Sequence, residues 1–163
     1  MQLMTWLTTT TAGKVILTML VSALPVVELR GGIPFGVGGL GLSYSVALWA
    51  SVVGNLIPVP FVIVYVRRVF QWLRCRLPRF GGLVDRLEKK AHLKGRKVKR
   101  YGYLGLCLLV AIPLPGTGAW TGAMVAAFLD MRMKKAVPAI ALGVVGAGLI
   151  MLGLTSIGID MFT

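Results

Sequence analysis

Residues 113–122 read Pro113-Leu114-Pro115-Gly116-Thr117-Gly118-Ala119-Trp120-Thr121-Gly122. This run cannot continue a regular helix. Each proline removes a backbone donor and clashes with the preceding turn, and the glycines favour loop or left-handed geometry. Its flanks are apolar and of nearly equal length, 12 residues from Tyr101 to Ile112 and 11 from Ala119 to Leu129. At about 1.5 Å rise per residue each leg reaches roughly half the ~30 Å hydrocarbon core of a bilayer. Two half-length legs around a Pro/Gly turn describe a re-entrant hairpin, here residues 101–130.

Composition sets the same frame. The 163 residues are 56% hydrophobic and only 14% charged, well below the charged fraction of a soluble domain, yet the net charge is +13. Disorder is excluded because it needs low hydrophobicity, and a DNA-binding domain would be less apolar. The charges are also segregated. Thirty-six residues between Arg30 and Arg67 carry none, as do 29 between Arg100 and Asp130 and 24 between Lys135 and Asp160. One full span fits 136–158 and another 43–66, the latter kinked by Pro58 and Pro60. Residues 67–100 hold 13 of the 18 basic residues against only Asp85 and Glu88, a net +11. Such a loop belongs on the cytoplasmic side and is attracted to anionic lipid. Leu83, Leu87 and Ala91 recur at spacing four within it, as in an amphipathic surface helix. If 101–130 is re-entrant, Arg132, Lys134 and Lys135 return to the same side, as the positive-inside rule prefers.

A second broken segment lies earlier, Pro25-Val26-Val27-Glu28-Leu29-Arg30-Gly31-Gly32-Ile33-Pro34-Phe35-Gly36. The same reasoning divides 15–42 into a hairpin, with Val15–Val27 leading in, Glu28–Gly32 turning and Ile33–Leu42 leading back. Residues 1–12 form an interfacial N-terminal segment with Trp6 at headgroup depth, retained rather than cleaved as a signal peptide. The expected class is an all-α integral membrane protein built as an inverted repeat: re-entrant helical hairpin plus transmembrane helix, twice. Gly32 and Gly36 match Gly118 and Gly122 at a constant offset, both Gly-xxx-Gly pairs that let backbones approach and make a homodimer plausible.

Glu28 and Arg30 are the only charges between Lys14 and Arg67. A charge at membrane depth is costly, so it faces a cavity or a partner. Arg30 suits an anionic headgroup through its planar fork. Glu28 suits a proton, since desolvation moves a carboxyl towards titration near neutral pH. An internal ion pair that fixes the hairpin tip is the structural alternative for the two residues. Gly31 and Gly32 beside them, Asn55 in the first span, and Gly116, Thr117, Gly118, Trp120 and Thr121 in the facing turn complete the candidate substrate-binding set, with hydroxyls, an indole N–H and exposed backbone N–H groups. No Ser-His-Asp group, metal-spaced His/Cys set or Walker loop is present, so neither an enzyme nor a metal or cofactor is expected, and no nucleic-acid partner.

The two broken segments and Gly54-Asn55-Leu56-Ile57-Pro58-Val59-Pro60 resemble the putative small multidrug export protein family over roughly residues 15–158. More distantly the chain is similar to the DedA (VTT-domain) superfamily, whose two facing re-entrant hairpins imply lipid transport, for DedA proteins of undecaprenyl phosphate. Functional acidic and basic residues at the hairpin are implied as well, and Glu28 and Arg30 match that pattern. The resemblance places the chain in a prokaryotic cytoplasmic (inner) membrane with membrane lipids as partners. The leading expectation is thus a flippase or translocase of an anionic lipid such as a polyprenyl phosphate, proton-coupled through Glu28, with the headgroup held between the hairpins. A proton-coupled small multidrug exporter is the alternative reading, and a non-transporting membrane scaffold the third.

Overall fold

The computed structural model describes residues 2–76, 101–114 and 116–162. Among these, every regular element is helical: α1 (Gln2–Thr9), α2 (Thr11–Ala23), α3 (Glu28–Pro34), a π-helical turn (Phe35–Gly39), α4 (Tyr44–Leu56), α5 (Pro58–Arg76), α6 (Tyr103–Ala111), α7 (Ala119–Phe128) and α8 (Met133–Phe162). The amphipathic helix expected around residues 83–91 lies outside the described residues. The helices form two compact units, residues 1–58 with 144–163 and residues 59–143.

Among the described residues, two segments are long and apolar enough to cross a bilayer, Tyr44–Val69 and Met133–Gly158, each 26 residues with mean hydropathy 2.0 and 2.3. The first is interrupted at Ile57, where Pro58 supplies no donor to Gly54 and instead opens α5, the position at which proline is tolerated. By contrast α6 and α7, at 9 and 10 residues, are too short to cross.

Small residues set the packing in both units. In the first, a β-carbon at Gly54 on α4 would lie 2.6 Å from the α-carbon of Met19 on α2, so only glycine permits that approach. Gly148 in the later part of α8 receives Leu48 of α4 at 2.8 Å. In the second unit, Gly122 on α7 receives Val110 of α6, and a β-carbon at Gly143 on α8 would lie 2.6 Å from the Cys107 carbonyl oxygen. Lys135 lies over the Tyr103 ring at 5.9 Å, tying the start of α8 to α6. Alanines 119, 123, 126 and 136 are completely buried there. This is how helices associate in lipid, where apolar burial between helices contributes little and close backbone contact contributes more. Large apolar side chains face outward instead, Leu104 at 74% exposure and Leu142 at 68%. On a soluble monomer such surface would be exceptional.

The α2–α4 contact gives a direct test. Gly54→Ala places its methyl against Met19 backbone, which cannot rotate away, so a loss of about 1–3 kcal/mol is expected. Gly38→Ala, where a β-carbon meets nothing within 4 Å, is the matched control and should leave the melting temperature in detergent within a degree or so.

Candidate functional site

The first broken segment does not turn where the proline and glycine content predicted. Glu28–Gly32, expected as the hairpin turn, is helical and begins α3. The break is one step earlier, at Leu24–Val27. Pro25 pushes the preceding residue out of the helical region, and Leu24 has φ −69° and ψ 136°. Pro34 is accommodated at the end of α3, because the next amide, that of Phe35, still bonds to the carbonyls of Gly31 and Gly32. A π-turn follows, with the Leu40 amide bonded to the Phe35 carbonyl at 3.0 Å.

Glu28 carries the strain of this arrangement. Its φ is +51°, a left-handed value that costs a non-glycine residue on the order of 1 kcal/mol or more. It is also buried, at 6% exposure. With Leu29, Gly32 and Ile33 it forms the buried side of α3, whereas Arg30 and Gly31 are half-buried.

Two glycines bring α3 against its neighbours. A β-carbon at Gly36 would lie 3.1 Å from Thr18 of α2 and 3.1 Å from Ala47 of α4. One turn back, a β-carbon at Gly32 would overlap Ser22 Oγ of α2 and lie 3.0 Å from Ser51 Oγ of α4. The pairs Gly36–Ala47 and Gly32–Ser51 step in opposite directions by four residues, so α3 and α4 run antiparallel. Thus Gly32 from the candidate set meets Ser22 and Ser51, which sequence reasoning overlooked, while Glu28 and Asn55 lie four residues further along α3 and α4. The available signal was their spacing: Thr18 and Ser22, like Ser51 and Asn55, are polar pairs four apart in mostly apolar helices.

These groups are costly where they stand. Thr18, Ser22, Ser51 and Asn55 are all 0% exposed. Thr18 Oγ1 donates to the Lys14 carbonyl at 2.8 Å. Ser22 Oγ, Ser51 Oγ and both polar atoms of the Asn55 amide have no hydrogen-bond partner. A buried polar group left so costs about 1–3 kcal/mol.

The second broken segment belongs to the other unit, and its hydroxyls serve the turn itself. Thr117 Oγ1 reaches the carbonyls of Ile112 at 2.8 Å and Leu114 at 2.7 Å, and the Leu114 amide donates to it at 3.1 Å. Thr121 Oγ1 donates to the Gly116 carbonyl at 3.1 Å. Gly116 and Gly118 adopt φ of +76° and +140°, open to glycine alone at low cost. Trp120 is half-buried in the first turn of α7.

At the far end of α7 the structure supplies a contact absent from the expectations. Asp130, at φ +48°, ends the helix in a left-handed cap, with the Met131 amide on the Ala126 carbonyl at 3.0 Å. Arg67 of α5 completes it, Nη2 donating to the carbonyls of Met131 at 2.7 Å and Ala126 at 3.3 Å. Its Nε lies 3.7 Å from Asp130 Oδ1. The first cation after the span thus binds two carbonyls at a helix C-terminus, where positive charge is favoured.

A family model described as Putative small multi-drug export protein matches residues 28–150. The match takes in most of the chain, which belongs to that family. No curated protein and no solved structure matches it.

Arg67→Ala removes two charge-assisted bonds to carbonyls and should lower stability by about 1.5–3 kcal/mol, read as a drop in detergent melting temperature. Asp130→Asn removes only a largely exposed charge pair and should shift it far less. Thr117→Val should destabilise the 112–118 turn, with Thr117→Ser restoring it, since the hydroxyl rather than the methyl makes the bonds.

Proposed function

We propose that the chain exports small cationic amphipathic compounds in exchange for protons, with Glu28 as the carboxylate that proton and compound share. The family's description supports export, and the two long apolar helices support a membrane setting. The observation that carries the reading is Glu28 itself. It is the only acidic residue before Asp85, it is buried in an apolar unit, and it is held in strained backbone geometry. Strain and a buried carboxylate are both costs that folding alone would avoid, and they gather at functional sites. A carboxylate that is neutral when protonated and attracts a cation when ionised couples the two fluxes by competition.

In this reading α6 and α7 form a re-entrant hairpin, the chain is an inverted repeat in the DedA manner, and residues 67–100 face the cytoplasm of a prokaryotic inner membrane. Export of an anionic lipid, a polyprenyl phosphate among them, is the second reading, and half-buried Arg30 two residues from Glu28 favours it. The two readings separate in proteoliposomes. For cation export, a lipophilic cation added to one side should draw protons to that side from the other, and Glu28→Gln should abolish both that flux and its pH dependence. Arg30→Gln should leave the flux measurable. A flux that persists in Glu28→Gln sinks the export reading, and headgroup binding that vanishes in Arg30→Gln supports the lipid one.

A further inference from the structure

The buried hydroxyls and amide around Gly32 ask for an occupant that both donates and accepts. Each serine hydroxyl brings one donor and two lone pairs, and the Asn55 amide brings two donors and a carbonyl oxygen. All four of these polar atoms are buried and without a hydrogen-bond partner. An apolar occupant would satisfy none of them. A metal ion would engage the oxygens and leave Asn55 Nδ2 unpaired. Water does both, and buried water typically bridges about three otherwise unsatisfied groups.

We propose that Ser22, Ser51 and Asn55 hold buried water in the first unit, and that this water is the route by which protons reach Glu28. The missing β-carbon of Gly32 is what lets Ser22 Oγ and Ser51 Oγ converge on α3. Four residues further along the antiparallel pair, α4 carries Asn55 and α3 carries Glu28. The proposed route runs from the serines past Asn55 to that carboxylate. In this route a proton enters from bulk water, passes along hydrogen bonds between water and hydroxyl, and is taken up by a Glu28 carboxylate oxygen; no other bond is made or broken. Of the elements packed against α3, α2 contributes Lys14 and α4 contributes Tyr44 as titratable groups, the π-turn contributes none, and α3 itself carries Arg30.

The hydration rests on the side chains alone, whereas the proton route rests on the export reading, so two measurements are needed. The first is radiolytic hydroxyl-radical labelling of the wild-type protein in nanodiscs. Internal water would label Leu29 and Ile33, which flank Gly32 on the buried side of α3, well above equally buried Leu106. The label should fall to the Leu106 level in the Ser22→Ala/Ser51→Ala variant. Equal, background labelling of all three residues in wild type would overturn the water site, and this result needs no variant to fold. The second is cation-driven proton flux in proteoliposomes. The double variant should bind the cation as wild type does while its flux falls on the order of tenfold or more. Undiminished flux overturns the route. Cation binding lost together with flux also overturns it, because the hydroxyls would then belong to the substrate site. A wild type that shows no cation-driven flux but labels Leu29 and Ile33 sinks the export reading and the route, and leaves the water site standing.

Discussion

Prolines in an apolar chain set the terms of this structure. Each removes a backbone donor and disturbs its neighbours, and in lipid the freed groups must be satisfied by the protein itself. The chain solves this differently at each place. After Pro25 the helix restarts within a turn, with the Glu28 amide returning to the Leu24 carbonyl at 3.0 Å and the Gly31 amide to Val27 at 3.1 Å. At Pro58 the disturbance is confined to Ile57, whose amide still reaches Val53. After Pro113 no helix can form at once, and the Thr117 side chain takes over the bonding that backbone would have made. Helix lengths, hence which segments can cross and which cannot, follow from these three solutions.

The long features were legible in the sequence because they depend on composition summed over many residues. Charge-free length marked spans at 43–66 and 136–158, where the structure has apolar helices over Tyr44–Val69 and Met133–Gly158, and paired prolines marked the turn between two short helices. Local detail was less legible. Glycine content argued for a turn at Glu28–Gly32, yet glycine serves two purposes, freedom of φ and absence of a side chain. Gly32 in α3 and Gly36 in the π-turn are there for the second, set against Ser22, Ser51, Thr18 and Ala47. Nothing local distinguishes these uses, since the distinction lies in what packs opposite. Positive φ appears where it was not sought, at Glu28 and Asp130. Arg67 was read only as the edge of a basic loop, because its carbonyl partners are 59 and 64 residues away.

The candidate site divides along the same line. Glu28 and Asn55 stood out as polar residues in apolar stretches, a signal that needs no fold. Ser22 and Ser51 did not, because isolated serines in membrane helices commonly bond their own helix backbone. Here they have no such bond. Only the three-helix contact at Gly32 shows that they share one place. Thr117 and Thr121 show the reverse case: suggestive types at suggestive positions, whose hydroxyls are engaged in folding the turn.

The neutrality of the groups stacked along α3 bears on how a carboxylate can work there. At the levels of Gly36 and Gly32 the flanking helices present Thr18, Ala47, Ser22 and Ser51, and the next step of α4 presents Asn55, none of them charged. A cation fixed in that ladder would favour the ionised carboxylate strongly, and protonation would then strand a buried positive charge, a penalty of several kcal/mol. Hydroxyls and an amide tolerate both states. They donate to a carboxylate and accept from a carboxylic acid, with only a rotation of hydrogen positions between the two. Neutral groups of this kind can accompany a carboxyl group in either state, which suits a residue proposed to gain and lose a proton in each cycle.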